Sequence, residues 1–232
     1  MKTGSTWIIN LHGIRRERIP DEERLRNRWI DLELFTGILD RLIECPENHM
    51  ELSFDDGNRS DLELALPELK KRDLRATFFI IAGHIGRPGH LGPEEIRTLH
   101  AEGMRIGSHG MRHLSRRGLP ESIAHQEFVQ SRAILEELLG AEVREAACPF
   151  GLYNQRTLKQ LRQAGYQRVF CSNRGPARTR KFLQARNTVH GHSTPEGVVG
   201  EKNRYRVNPV RETRMYLKRF RYQKPALPDE YR

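Results

Sequence analysis

Short apolar blocks alternate along this chain with segments in which apolar residues recur at helical spacing. The block at 76–82 is almost continuously apolar, as strands buried on both faces are. Similar strand-like blocks lie at 7–11, 50–54, 104–107, 144–148, 169–172 and 183–189. Strands that alternate with helices predict a parallel sheet covered by helices on its outer face. Six or seven such units are too many for a small open sheet, so we expect a closed or nearly closed α/β barrel.

The segments between these blocks carry helix signals. The apolar residues of 34–43 recur at helical spacing, and Pro93 stands at the favoured first position of another helix. A long helix is expected over roughly 121–139. Asp61 and Asn154 each precede a helical pattern and are expected to cap a helix.

The positive charge of the chain is concentrated in its last third. Residues 156–232 contain 19 Lys and Arg against 5 Asp and Glu, a net charge of +14, whereas the rest of the chain has a net charge of −4. Such a surface attracts phosphates in nucleic acid, anionic lipid or a phosphate-linked sugar, or it is a solvated face that keeps the protein in solution. No nucleic-acid motif accompanies these charges, so nucleic acid is not an expected partner. We expect a folded domain over 1–199 and a basic tail over 200–232.

The cysteines and the N-terminal residues indicate the cellular compartment in which the protein is expected. Cys45, Cys148 and Cys171 are an odd number without a C-x-x-C spacing, so we expect neither a disulfide framework nor a thiolate zinc site. Reduced cysteines fit a cytoplasmic protein. The first apolar run is only three residues long before Asn10 interrupts it, and no segment reaches 18 apolar residues. The sequence therefore predicts neither an export signal nor a membrane span.

Two adjacent carboxylates, Asp55 and Asp56, follow the strand-like block 50–54 directly and precede Gly57. Neighbouring extended residues point in opposite directions, so the pair can act at one place only where the backbone bends, which Gly57 permits. One carboxylate could then bind a metal while the other accepts a proton. Alone, Asp-Asp-Gly is also an ordinary surface turn.

Two further motifs stand after strand-like blocks. His109 and His113 have an i, i+4 spacing that brings two imidazoles to one metal on a helix or a wide turn, although isolated pairs also arise by chance. Imidazole and carboxylate ligands suit Zn²⁺ and other first-row divalent ions. Downstream, Pro149-Phe150-Gly151 is a turn that can expose a backbone N–H to a developing oxyanion. Functional residues of parallel barrels collect where strands end, and all these motifs do so.

The motifs Ser53-Phe54-Asp55-Asp56-Gly57, Ala76-Thr77-Phe78-Phe79, Ser108-His109 with His113, and Pro149-Phe150-Gly151 occur in this order. Together they closely resemble the polysaccharide deacetylases, carbohydrate esterase family 4, which share the chitooligosaccharide deacetylase homology domain. The resemblance covers about residues 7–196. It implies a single-domain, distorted (β/α) barrel, often of seven parallel strands, and a catalytic domain over 1–199.

The resemblance implies a role for each motif. Asp55 would be the general base, and Asp56, His109 and His113 would hold a divalent metal, Zn²⁺ being expected and Co²⁺ a substitute. The backbone N–H of Phe150 would belong to the oxyanion hole. The chain departs from the family at Ala147, where an arginine usually orients the base, and Arg186 is one candidate replacement. The family's fourth motif is not recognisable around 167–174.

The general acid that protonates the leaving amine is expected to be a histidine after a late strand. His190 follows the block 183–189 directly and is the first candidate, while His192 comes after Gly191. His12, after the first block, is the next candidate.

The expected function is metal-dependent removal of an N-acetyl group from a GlcNAc-type sugar in an oligosaccharide, a polysaccharide or a lipid-linked glycan precursor of exopolysaccharide biosynthesis. Two alternatives stay open, a catalytically inactive carbohydrate-binding relative and a deformylase acting on a lipid-linked amino sugar. The basic tail, with aromatic residues among its charges, predicts contact with an anionic membrane, which would place the protein at the inner face of the membrane.

Overall fold

A computed structural model of the chain describes residues 5–18, 28–46, 50–115, 118–178 and 180–205, together with Thr213 and Leu217. Its strands are β1 (Ser5–Leu11), β2 (Ile14–Arg15), β3 (Ile30–Asp31), β4 (Met50–Asp56), β5 (Ala76–Ile80), β6 (Arg105–Ser108), β7 (Glu145–Ala147), β8 (Arg168–Cys171), β9 (Ala177–Arg178), β10 (Leu183–Ala185) and β11 (Asn187–Thr188).

The helices lie between these strands. They are α1 (Leu32–Glu44), α2 (Leu66–Lys71), α3 (Pro93–Ala101), α4 (Glu121–His125), α5 (Ser131–Leu139), α6 (Gln155–Gln163) and α7 (Pro195–Arg204), with π-helical turns at Asp61–Ala65 and Gln126–Gln130 and 3₁₀ turns at Ala82–His84 and Pro149–Gly151.

Most of the strands form one sheet in the order β10-β8-β7-β6-β5-β4-β1-β11, and all neighbours on this path are parallel. Within the described residues, β9 adds to β1 in the antiparallel sense. The two ends of the path, β10 and β11, are consecutive in the chain and separated only by Arg186. The sheet therefore curls into a nearly closed barrel, and if β10 and β11 are taken as one interrupted strand, the barrel has the seven strands expected.

Successive side chains along each strand point to opposite faces of the sheet, so the core has two parts. Ile9 and Phe54 face the helices, whereas Ile8 and Phe79 belong to a small cluster inside the barrel. Gly107 makes room for that cluster, because a Cβ atom there would lie 2.5 Å from the Phe79 ring. The barrel interior is thus a packed core.

Ion pairs close the end of the barrel at which the strands begin. Arg168 donates to Glu145 at 3.0 Å and to Glu51 at 3.1 Å, and Arg105 also donates to Glu51 at 3.1 Å. These four side chains come from the first or second residues of four strands. The opposite end, where the strands finish, stays available for chemistry.

Two of the expected helix features differ in the structure. Asp61 does not cap a helix: Ser60 precedes the π-helical turn Asp61–Ala65, and the Asp61 side chain is buried inside that turn. The segment 121–139 is helical throughout, but the π-helical turn Gln126–Gln130 divides it into α4 and α5. Spacing of apolar residues predicts that a segment is helical, whereas a π-helical turn depends on tertiary contacts that spacing does not encode.

Helix α7 was not expected, and it crosses the position at which the basic tail was expected to begin. Asn203 and Arg204 continue it, and Tyr205, the next residue, packs edge-on against Trp7 with ring centroids 5.6 Å apart. Apart from Thr213 and Leu217, the tail beyond Tyr205 lies outside the described residues. None of the described helices is long and apolar enough to cross a membrane.

Candidate active site

The two carboxylates at the end of β4 diverge because the backbone bends there. Asp56 has φ +83° and Gly57 has φ +67°, so both adopt the left-handed region. This region is costly for a residue with a side chain, and such outliers cluster at functional sites. The bend lets Asp55 point into the barrel, where it is 3% exposed, while Asp56 faces the loop after β6. The sequence predicted a backbone bend at Gly57, and in the structure that bend also includes Asp56.

Asp56, His109 and His113 form one cluster. The Oδ1 atom of Asp56 lies 3.6 Å from Nε2 of His109 and 3.5 Å from Nε2 of His113, and the three candidate ligand atoms lie within 4.8 Å of one another. The Asp56 Oδ1 atom is buried and has no hydrogen-bond partner among the described residues. A buried oxygen that faces two imidazole nitrogens fits a divalent ion with a carboxylate–imidazole ligand set.

The loop that carries the histidines is a wide turn and not a helix. His113 has φ +58°, and its ring packs on Phe150 with centroids 4.6 Å apart. On the other side, His109 Nδ1 is 3.0 Å from the carbonyl oxygen of Ala147. If Nδ1 carries the proton and donates to this carbonyl, Nε2 is left free to bind a metal.

Arg186 and Asn10 hold Asp55 inside the barrel. The Arg186 guanidinium is fully buried and donates at 2.6 Å to Oδ1 and at 2.8 Å to Oδ2, and Asn10 Nδ2 donates to Oδ2 at 3.1 Å. Burial alone would raise the pKa of Asp55, but the charge of Arg186, followed by those of His109 and His12, lowers it below the usual range. Asp55 is therefore ionised and fixed in orientation.

The neighbouring carboxyl behaves differently. Burial, followed by the charge of Asp55, raises the pKa of Asp56 to about 7. Two carboxylates so close together repel each other, and a cation between Asp56 and the two imidazoles would relieve that repulsion. The electrostatics thus agree with the geometry in favouring a bound metal at Asp56.

Phe150 stands in the left-handed region, with φ +57° and ψ +9°. The N–H groups of Gly151 and Leu152 donate to Cys148 and Pro149, but no backbone–backbone bond in the described part of the chain uses the Phe150 N–H. The Phe150 ring is 51% exposed beside His113. The turn therefore leaves an N–H donor without a backbone partner on a residue whose ring packs against His113.

The candidate acid residues occupy different surroundings. The ring of His190 stacks on His192 with centroids 5.5 Å apart, and no hydrogen bond or ion pair in the described residues joins His190 to Asp55 or the cluster. Burial, then His192 and Arg174, lower the pKa of His190. His190 and His192 thus form a pair of their own beside the site.

His12, the residue that follows β1, is buried, with 7% of its surface exposed. Burial lowers its pKa to about 4, while the charge of Asp55 acts in the opposite direction and those of Arg28, Arg186 and His113 add to the lowering. Its Nε2 atom lies 3.4 Å from Nη1 of Arg28. Nδ1 is buried without a hydrogen-bond partner among the described residues.

Asn10 and Ser53 are site residues that the sequence patterns missed. They are aligned in the register of β1 and β4, and Asn10 Oδ1 accepts hydrogen bonds from Ser53 Oγ at 2.9 Å and Arg186 Nη1 at 2.7 Å. The sequence signal that could have identified them is that each is a polar residue within an apolar strand-like block. In the sequence, Asn10 was interpreted only as an interruption of an apolar run.

The comparisons with known proteins agree with this geometry. The family model described as polysaccharide deacetylase matches residues 43–169, more than half of the chain. YxkH of Bacillus subtilis strain 168, which is named for the same family, is 30% identical over 138 residues, covering 60% of this chain and 50% of YxkH. Poly-β-1,6-N-acetyl-D-glucosamine N-deacetylase of Staphylococcus aureus strain MRSA252 is 26% identical over 139 residues, covering 54% of this chain and 48% of that protein. The chain thus spans about half the length of the curated relatives it matches.

Solved structures resemble the whole barrel. The Streptococcus pyogenes deacetylase PplD in complex with acetate has a TM-score of 0.75 at 21% identity, over 86% of this chain and 98% of that chain. IcaB from Ammonifex degensii has a TM-score of 0.70 at 23% identity, over 84% and 96% respectively. At these identities the likeness concerns the fold, and it confirms the expected distorted (β/α) barrel.

Proposed function

This chain belongs to the polysaccharide deacetylase family, and from that premise we propose that it is a metal-dependent hydrolase that removes the N-acetyl group from a GlcNAc-type sugar in a glycan. The observation that carries the proposal is the approach of His109 and His113 to one buried oxygen of Asp56, with Asp55 held beside them. The name of the Staphylococcus aureus relative, an N-deacetylase of poly-β-1,6-N-acetyl-D-glucosamine, supports an amino-sugar polymer as substrate.

The proposed chemistry uses Asp55, Phe150 and the cluster together. A divalent ion held by Asp56, His109 and His113, Zn²⁺ by its ligand chemistry or Co²⁺ in its place, would acidify a water and polarise the acetamide carbonyl. Asp55 accepts the proton of the attacking water, and the Phe150 N–H donates to the oxygen of the carbonyl as its negative charge develops. Because its pKa is low, Asp55 is a weak base that must pass the proton on rapidly.

A histidine must then protonate the departing amine. His190 remains the first candidate from its position after the last strand. His12 is the alternative, because it directly follows β1 and the charges of Asp55 and His113 act on it, whereas the charges that act most on His190 after burial are those of His192 and Arg174. Both belong to the catalytic end of the barrel, where β1 and β11 finish.

The test is acetate release from oligomers of β-1,6-linked and, separately, β-1,4-linked N-acetylglucosamine, with protein stripped by a chelator and then reloaded with Zn²⁺ or Co²⁺. We expect acetate only after reloading. Formate release from the matching N-formyl oligomer would identify a deformylase instead. A reloaded protein that binds the oligomers and releases neither acid would be a carbohydrate-binding relative without activity. Activity that survives chelation would contradict metal dependence.

The membrane contact expected for the basic tail remains part of this proposal, supported by the charge of residues 206–232, most of which lie outside the described residues. The chain should be ended after Tyr205, because an earlier end would cut α7 and remove the packing of Tyr205 on Trp7. The shortened chain should bind anionic liposomes more weakly and hydrolyse small substrates at the same rate. Equal liposome binding by both chains would show that the tail is a solvated surface.

A further inference from the structure

We propose that Glu127 is a positioning residue for the metal cluster: its carboxylate fixes the backbone between His109 and His113 so that both imidazoles face Asp56. This inference rests on the proposed function, because it concerns the same metal site. Glu127 follows the histidine loop on the next helical segment and belongs to none of the motifs by which the site was found. Its place in the π-helical turn Gln126–Gln130 first becomes apparent in the folded chain.

The Glu127 carboxylate contacts two backbone N–H groups of the histidine loop and also lies 3.6 Å from Nε of the Arg112 side chain. The side chain is fully buried, Oε2 accepts a hydrogen bond from the N–H of Met111 at 2.9 Å, and Oε1 accepts one from the N–H of Arg112 at 3.0 Å. These two peptide groups lie between the two histidines. Hydrogen bonds to an ionised carboxylate are shorter and stronger than those between neutral groups, so Glu127 fixes both peptide groups at once.

The loop needs such support because its backbone is not regular. Gly110 has φ +89° and His113 has φ +58°, and a residue held in the left-handed region stays there only where its surroundings impose it. On the opposite side, the loop is held through its carbonyl groups, since Gly110 accepts from the Ala82 N–H and Met111 from the Gly83 N–H, both at 2.9 Å. Glu127 therefore completes the attachment of the loop by binding its N–H groups.

The helix that carries Glu127 is itself fixed to the start of the loop. Ser131 Oγ donates to the carbonyl oxygen of Glu127 at 2.7 Å and lies 3.1 Å from the hydroxyl oxygen of Ser108, which in turn accepts from the Gly110 N–H at 3.1 Å. A π-helical turn is an unstable way to continue a helix and is often kept at functional sites. Here the turn falls on Glu127, whose carboxylate is bound to the loop.

The decisive experiment compares Glu127→Gln with Glu136→Gln. Glu136 is a matched control because its carboxylate accepts a hydrogen bond from the Val143 N–H at 2.9 Å, in a loop away from the cluster. A glutamine at 127 keeps the size of the side chain but replaces one acceptor oxygen with a donor that faces an N–H group. The dissociation constant for Zn²⁺ is measured by competition with a chromophoric chelator, and the melting temperature of the metal-free proteins is measured alongside.

We expect Glu127→Gln to weaken Zn²⁺ binding by about 10- to 100-fold, the range usual for groups that orient metal ligands, and Glu136→Gln to leave it within about twofold. Should Glu127→Gln fail to fold, Glu127→Asp, which keeps both acceptor oxygens, should show an intermediate affinity. Wild-type affinity in the Glu127 variant that folds, or an equal loss in Glu136→Gln, would overturn the inference while leaving the proposed function intact. A wild-type protein that binds no Zn²⁺ would overturn both.

Discussion

Arg186 donates two hydrogen bonds to Asp55, at 2.6 Å and 2.8 Å, from the one residue that separates the two ends of the barrel sheet. The central carbon of the guanidinium also lies 5.2 Å from the centroid of the Phe79 ring and 5.9 Å from that of Phe170. The residue that joins the two ends of the sheet thus also orients the Asp55 carboxylate. In the sequence, Arg186 was one candidate for the group that replaces the family's arginine at Ala147, and the geometry supports that replacement.

The first prediction follows from this pair. Arg186→Lys keeps the charge but cannot make the two parallel bonds, so Asp55 should lose its fixed orientation. We expect kcat for acetate release to fall by about 10²-fold, the effect of a misplacement of the order of 1 Å at a reacting group. Arg168→Lys is the matched control, since Arg168 lies 4.9 Å from the Phe170 ring at the opposite end of the barrel. Similar losses of kcat in both variants would indicate a general effect on the barrel.

The second prediction separates the adjacent aspartates. Asp55→Asn should keep the metal and lose most turnover, because Asp55 is held by Arg186 and Asn10 and is not part of the triad. Asp56→Asn should weaken metal binding by about one to two orders of magnitude. Metal content by mass spectrometry of the native protein and kcat by acetate release distinguish the two effects. Loss of metal from Asp55→Asn with retention by Asp56→Asn would reverse the assignment.

Much of the architecture could be predicted because it depends on local patterns. The seven strand-like blocks correspond to the seven parallel positions of the barrel, and the bend at Gly57 follows from its residue type. The sequence offered Arg186 only as one candidate, through the family resemblance, and it did not predict that Asn10 meets Asp55. Arg186 and Asn10 lie 131 and 45 residues from Asp55, and only the folded barrel brings them together. The same holds for Glu127, whose role depends on which backbone N–H groups of the histidine loop face its carboxylate in the folded chain.

The third prediction concerns the general acid. If His190 protonates the leaving amine, His190→Ala should lower kcat by about 10²-fold or more without loss of metal, and His192→Ala should have a smaller effect. If His12 has this role, His12→Ala should give that loss and both other variants should be nearly silent. His100→Ala, an exposed position on α3, is the control. In the wild type, kcat should fall at high pH because the general acid loses its proton. This fall should be absent only from the variant that lacks the acid.

The last prediction concerns Asp61, which is fully buried and whose two carboxyl oxygens have no hydrogen-bond partner among the described residues. Burial, followed by the charge of Asp56, raises the pKa of Asp61 well above its usual value. The folded protein therefore retains a proton that the unfolded chain releases above a pH of about 4. The contribution of Asp61 to the free energy of unfolding is therefore fully present below that pH and is lost as the pH rises through the folded-state pKa.

Asp61→Asn removes this titration, so the variant should melt at a higher temperature than the wild type at pH 8 and show a flatter dependence on pH. Each unit between the two pKa values is worth about 1.4 kcal/mol, and 1 kcal/mol corresponds to about 2–4 °C in a domain of this size. The measurement is a series of thermal melts from pH 4 to pH 8 with a chelator present, so that no bound ion offsets the charge of Asp56. Asp73→Asn, whose side chain is 93% exposed, should follow the wild type. If Asp61→Asn instead melts below the wild type at pH 8, Asp61 is an anion in the folded state and the direction of its pKa shift is wrong.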